Sequence, residues 1–178
     1  YVTSVSIIGA VVFLFLIFSL TPRYPQIPTG YQFSSAVKLL GNGAVIIAAL
    51  SLFCYISLEI SMGTWIRLLM TQMYAGEADA STYAGWVLGF FGVAMMVGRF
   101  LTSTVKNLTA MGARVITAMA LLSIVAIVLM IVTKSPALAI AAIILTGLAF
   151  APIFPTIVGV TFAKFEPRLY GSIFGIIF

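Results

Sequence analysis

Polar residues reach this chain in short clusters, and between them run apolar stretches of about 20 residues, the length an α-helix needs to cross a bilayer's hydrocarbon core. The first run covers 1–20 and gives way to Thr21-Pro22-Arg23-Tyr24-Pro25-Gln26-Ile27-Pro28. Prolines at three-residue steps cannot continue a helix and favour an extended connection. The polar stretch 21–40 is therefore the expected domain boundary. Beyond it the pattern predicts spans over about 41–70, 83–101, 115–132 and 137–163, with a further run at 170–178. Apolar runs stand at both ends, so the chain reads as a piece of a longer protein. A transmembrane barrel requires short alternating strands, and these long unbroken runs do not supply them. The expected fold class is an all-α integral membrane protein, a multi-span helical bundle.

Composition sharpens this picture. The 178 residues are 62% hydrophobic and only 7% charged, whereas soluble domains carry roughly 25% charged residues. The net charge of +5 is not gathered into a basic stripe, so no nucleic-acid partner is expected, and the lipid bilayer is. Counted by alternating sides, seven basic residues (Arg23, Lys38, Arg99, Lys106, Arg114, Lys164, Arg168) face one (Lys134). The positive-inside rule puts the first set in the cytoplasm. Cys54 has no cysteine partner and the chain has no histidine, so neither a disulfide nor a metal or other cofactor is expected, and the thiol is assigned to packing.

The candidate chemistry gathers in the second run. Glu59 is the one carboxylate deep inside an expected span. An ionised carboxylate in hydrocarbon is costly, so such a residue faces a protein interior or a wet cavity and commonly serves a transport path. Burial disfavours its charged form, which suits it to taking up and giving back a proton. The competing reading is a permanently protonated acid that bonds a neighbouring helix. Tyr55, Glu59 and Gly63 follow at four-residue steps on a face roughly 80° wide, while Ser57, Ser61 and Thr64 offer small hydroxyl groups to a packing partner. Arg67 sits about 17 Å from the midplane, at the interface, and about 12 Å along the axis from Glu59. A solute could bridge the two charges, which are not expected to touch. Trp65 suits either a sugar-stacking platform with Tyr55 or an interfacial belt.

Elsewhere, Gly85, Gly89 and Gly92 form a small-residue face for close helix packing. Pro152 and Pro155 should kink the run 137–163 and strip helical donors from backbone carbonyls. Gly41-Asn42-Gly43 lacks the strand–turn–helix setting of a phosphate loop. No nucleophile–base pair stands inside the spans, so an intramembrane enzyme is not expected.

These stretches together resemble the major facilitator superfamily of secondary transporters. Tyr55-x3-Glu59-x3-Gly63-x-Trp65 looks like the seventh-helix pattern of its fucose–galactose–glucose proton symporter branch. Gly98-Arg99 with Gly112-Ala113-Arg114 is similar to the loop between the eighth and ninth helices, although Thr109-Ala110 stands where the family carries an Asp. Gly147 to Gly159, GLAFAPIFPTIVG, looks like the tenth helix. The resemblance implies that 1–20 is the last helix of an N-terminal bundle, 21–40 a cytoplasmic inter-bundle linker and 41–178 most of a C-terminal bundle. It implies proton-coupled movement of a small polar solute, a sugar first, across a cell membrane, with the N-terminal bundle of the same chain as partner. Glu59, Tyr55, Gly63, Trp65 and Arg67 would line the solute and proton path, and Gly98, Arg99, Arg114, Pro152 and Pro155 would gate or bend it. An organic-anion or drug transporter of the superfamily is the alternative, and a non-transporting receptor or assembly scaffold the alternative of another class.

Overall fold

A computed structural model describes residues 2–20 (side chains at 6 and 8–20) and 37–178. The expected proline-spaced linker and Arg23 lie outside the described residues. The chain divides into two compact units, Tyr1–Tyr31 and Gln32–Phe178. The first contains the helix α1, Val2–Leu20, whose side chains from Ile8 onward are exposed.

The second unit is built from α2 (Gly43–Met73), α3 (Ala80–Ser103), α4 (Gly112–Val132), α5 (Pro136–Phe150), α6 (Ile153–Phe162) and α7 (Tyr170–Ile177), with a 3-10 turn at Pro167–Leu169. Four stretches are long and apolar enough to cross a membrane: α2, α3, α4, and α5 with α6 taken as Pro136–Phe162. This is an all-helical, multi-pass membrane architecture. The helices overrun the hydropathy pattern by up to three residues at several ends. Hydropathy marks only the part that meets hydrocarbon, whereas backbone hydrogen bonding continues through the interface. Local chemistry sets the starts. The Asn42 side chain accepts from the Ala44 amide at 2.9 Å and caps α2, which gives Gly41-Asn42-Gly43 its structural task. Pro136 opens α5, where its missing N–H costs nothing.

The broken pair α5–α6 is the hub. Over its apolar stretch 56% of residues are buried, against 17% in α4, so α4 is the peripheral helix. The expected kink is an interruption of the helical hydrogen bonding at Ala151–Pro152, where both residues keep helical φ and ψ. Pro152 stands before the first turn of α6 and Pro155 within it, where the absent N–H groups leave Leu148 and Ala151 without their helical donors.

Helix packing differs from the sequence expectation in three places. A Cβ built on Gly85, Gly89 or Gly92 meets nothing within 4 Å, so these glycines pack against no neighbour among the described residues. The close approach lies instead at Gly147 of α5, whose Cβ would stand 2.8 Å from the Phe91 carbonyl oxygen and 3.2 Å from the Ala94 Cβ of α3. Period alone cannot tell which small-residue face meets a partner, because the partner is fixed elsewhere in the chain. On α2 the buried face is Val45, Ala48, Leu52, Tyr55, Met62, Ile66 and Met70, while Ser57, Ser61 and Thr64 are exposed. The face assigned to packing and the face assigned to polar chemistry are thus exchanged at Tyr55. Cys54 is exposed rather than packed.

Arg99 and Arg114 also move. Arg99 lies inside α3 and Arg114 in the first turn of α4, so only Lys106 of that expected basic loop remains in the connection 104–111. That connection turns at Asn107, whose φ of 63° is a left-handed conformation asparagine tolerates. Among the described residues, and without Arg99, the basic asymmetry is five (Lys38, Lys106, Arg114, Lys164, Arg168) to one (Lys134) and keeps its sign.

Two outcomes are expected. In a Cys54→Ala background, cysteines at Asp79 and Lys106 label from opposite sides of the membrane, and labelling of both from one side contradicts the topology. Gly147→Ala lowers the unfolding midpoint in detergent, at a cost of about 1–3 kcal/mol from overpacking against α3. Gly89→Ala, with open space around it, leaves the midpoint unchanged or raises it.

Candidate functional site

The polar centre of the bundle is assembled by the antiparallel pair α2 and α3. Tyr55 and Glu59 stand one turn apart on α2. On α3 the buried positions run Ala84, Val87, Phe91, Ala94, Met95, Gly98 and Thr102, and Arg99 lies at the edge of that face. Gly98 allows this, because any side chain there would strike Ala151 at the start of the α5–α6 break. The guanidinium consequently reaches α2.

One nitrogen does all the bonding. Arg99 Nη2 donates to Tyr55 Oη at 3.2 Å, to Glu59 Oε1 at 3.3 Å and to Glu59 Oε2 at 3.2 Å. Its two hydrogens are therefore shared among three acceptors, while Nε and Nη1 have no acceptor among the described residues. The guanidinium carbon also lies 5.8 Å from the centroid of the Phe154 ring, within cation–π range. The Arg99 side chain is 43% exposed and that of Glu59 30%, so the pair borders a cavity instead of a sealed core. This cavity, about 260 Å³, is lined by Ile56, Glu59, Ile60, Arg99, Phe154 and Phe178.

An aromatic shelf backs the pair. Tyr55 meets Phe150 edge-on at 5.8 Å and Phe154 at 6.3 Å, and Phe154 meets Phe178 edge-on at 5.5 Å. Tyr55 is only 4% exposed, so its ring is not available to stack on a solute. Its hydroxyl positions Arg99 instead. This corrects the expectation of a Tyr55–Trp65 platform: Trp65 is 60% exposed and lines none of the cavity around Glu59.

Other expected site residues fall elsewhere. Arg67 is exposed and, with Gly63, Ile60, Thr64, Leu68 and Thr71, lines a separate cleft of about 500 Å³ further along α2. No ion pair joins Arg67 to Glu59. Gly63 leaves room beside Leu88 of α3, 4.0 Å from a Cβ built there. Arg114 is exposed and makes no hydrogen bond or ion pair with Glu59. Pro152 and Pro155 flank Phe154, so the break presents that ring to Arg99. Sequence reasoning missed Arg99 as the partner of Glu59. The signal was present, since Arg99 sits between Val97-Gly98 and Phe100-Leu101 and a lone intramembrane acid calls for a cation.

The arrangement offers the cavity the Glu59 carboxylate oxygens as acceptors and the unused guanidinium N–H groups as donors. A double-mutant cycle on the unfolding midpoint checks the pairing. Glu59→Gln and Arg99→Gln each leave one charge uncompensated, and the double variant recovers part of the loss, with a coupling of about 1 kcal/mol for a pair this exposed. Strictly additive losses would mean that the two charges act independently.

A scan against protein-family models finds no match to this chain, and neither the curated proteins nor the solved structures contain one.

Proposed function

We propose that this chain is part of a secondary active transporter of the major facilitator type, moving a small polar solute across a cell membrane with proton coupling. The observation that carries this reading is the Glu59–Arg99 pair. It holds the one carboxylate found within the four membrane-length helices, pairs it with a cation, and sets both on a cavity. A structural ion pair has no need of an opening, and an intramembrane acid that borders one can exchange protons with it.

In this mechanism Glu59 alternates between two partners. When ionised it accepts from Arg99 Nη2. When protonated it loses most of that attraction and frees the guanidinium. Tyr55 Oη, 3.2 Å from the same nitrogen, keeps the side chain in place through the exchange. The break at Ala151–Pro152 supplies the flexible point beside the site, since α6 can pivot without rupturing helical hydrogen bonds that are already missing. The resemblance implies a sugar as solute, and an organic anion would use the same parts.

The test uses the full-length protein in sealed vesicles. Solute addition should alkalinise the medium as protons enter with the solute. Glu59→Gln should abolish uphill accumulation yet still exchange solute across the membrane, because glutamine keeps the shape but cannot release a proton. Unchanged accumulation by Glu59→Gln would leave the pair structural. A non-transporting receptor or scaffold would show no solute-dependent proton movement in either protein.

A further inference from the structure

Resting on the reading of Glu59 as the proton-coupling group, we propose that the solute is a small organic anion, a monocarboxylate on an apolar body, and that it replaces Glu59 on Arg99. The exchange balances in atoms and charge. The Glu59 carboxylate takes one proton and becomes the neutral acid, and the solute carboxylate becomes the counter-ion of the guanidinium.

The first argument is charge. Ionised Glu59 and Arg99 sum to zero. Protonating Glu59 leaves one positive charge in a site whose remaining walls are Ile56, Ile60, Phe154 and Phe178. The Arg99 charge, partly open to the cavity, then lacks a counter-ion, and the Phe154 ring at 5.8 Å offsets only part of that loss. Among the described residues no other group facing Glu59 restores neutrality. Facing Glu59 are Arg99 and the neutral Tyr55 hydroxyl, α5 and α6 carry no titratable residue, and Tyr170 of α7 is stacked on Phe162. A sugar would leave the charge standing, whereas an anion cancels it.

Donor geometry is the second argument. A guanidinium has five N–H groups in a planar fork that matches a carboxylate in two parallel bonds. Here the Nη2 hydrogens alone are engaged, and Nε and Nη1 remain for a ligand. The third is the lining. Four of the six side chains around the cavity are hydrocarbon. The hydroxyl ring of a sugar would lie against them without partners, a penalty for every desolvated group. An apolar body is favoured there.

The experiment is calorimetric titration of the full-length protein with phenylacetate, butyrate, phenylacetamide and glucose, in two buffers of different ionisation heat so that protons are counted. A monocarboxylate should bind with uptake of about one proton, and the matched amide about 10- to 100-fold more weakly, the loss of a charge-assisted bond. Glu59→Gln, which resembles the protonated acid, should bind the carboxylate with no proton uptake and little dependence on pH. Arg99→Gln should lose the preference for carboxylate over amide. Because Glu59→Gln is expected to bind, misfolding cannot imitate the result. Glucose or phenylacetamide binding as tightly as phenylacetate, carboxylate binding without proton uptake, or no binding of either carboxylate would overturn the proposal. Sugar-driven proton flux in vesicles without carboxylate binding would overturn it and leave proton-coupled transport standing. Carboxylate binding with proton uptake but no flux would do the reverse.

Discussion

A carboxylate and a guanidinium among apolar helices are best tolerated when each neutralises the other, and the meeting of α2 and α3 brings Glu59 and Arg99 within reach of one another. Removing either charge from water costs several kcal/mol, and their attraction offsets that cost only with good geometry and further hydrogen bonds. Arg99 meets the condition in part, through Glu59 and the Tyr55 hydroxyl. It also remains partly exposed to the cavity. A pair so held is neither a sealed structural element nor a freely solvated one. Its balance responds to a proton, which is why the pair and not a general polarity of the bundle carries the functional reading.

The rest of the second unit keeps that pair in register. Gly147 lets α5 approach the α3 backbone near Phe91 and Ala94, and Gly98 of α3 does the same against Ala151, at the end of α5. These contacts seat α3, and Arg99 with it, against α5. The break then turns Phe154 toward the guanidinium and packs its ring against Tyr55 and Phe178. Glycine and proline thus act together. The glycines bring helices close, and the prolines interrupt the helical hydrogen bonding next to Phe154.

By itself the sequence determined the element types, because bilayer thickness imposes a length on every spanning helix and the apolar runs display it. It also determined that Glu59 is exceptional, since a lone acid in such a run has few tolerable explanations. The proline break was legible for the same kind of reason: a missing N–H is a local fact. Tertiary structure alone decided which faces are buried. On α2 the positions at 57, 61 and 64 and those at 55, 59 and 63 have equally good helical periods, and only the placement of α3, α5 and α6 buries Tyr55 and leaves Ser57 exposed. It decided likewise that Gly147 and not Gly89 meets a neighbour. The sequence shows that Glu59 calls for a cation and that Arg99 lies in an apolar run, but their pairing, across 40 residues of chain, is set by how the helices cross, and that crossing is fixed by packing spread over the whole unit.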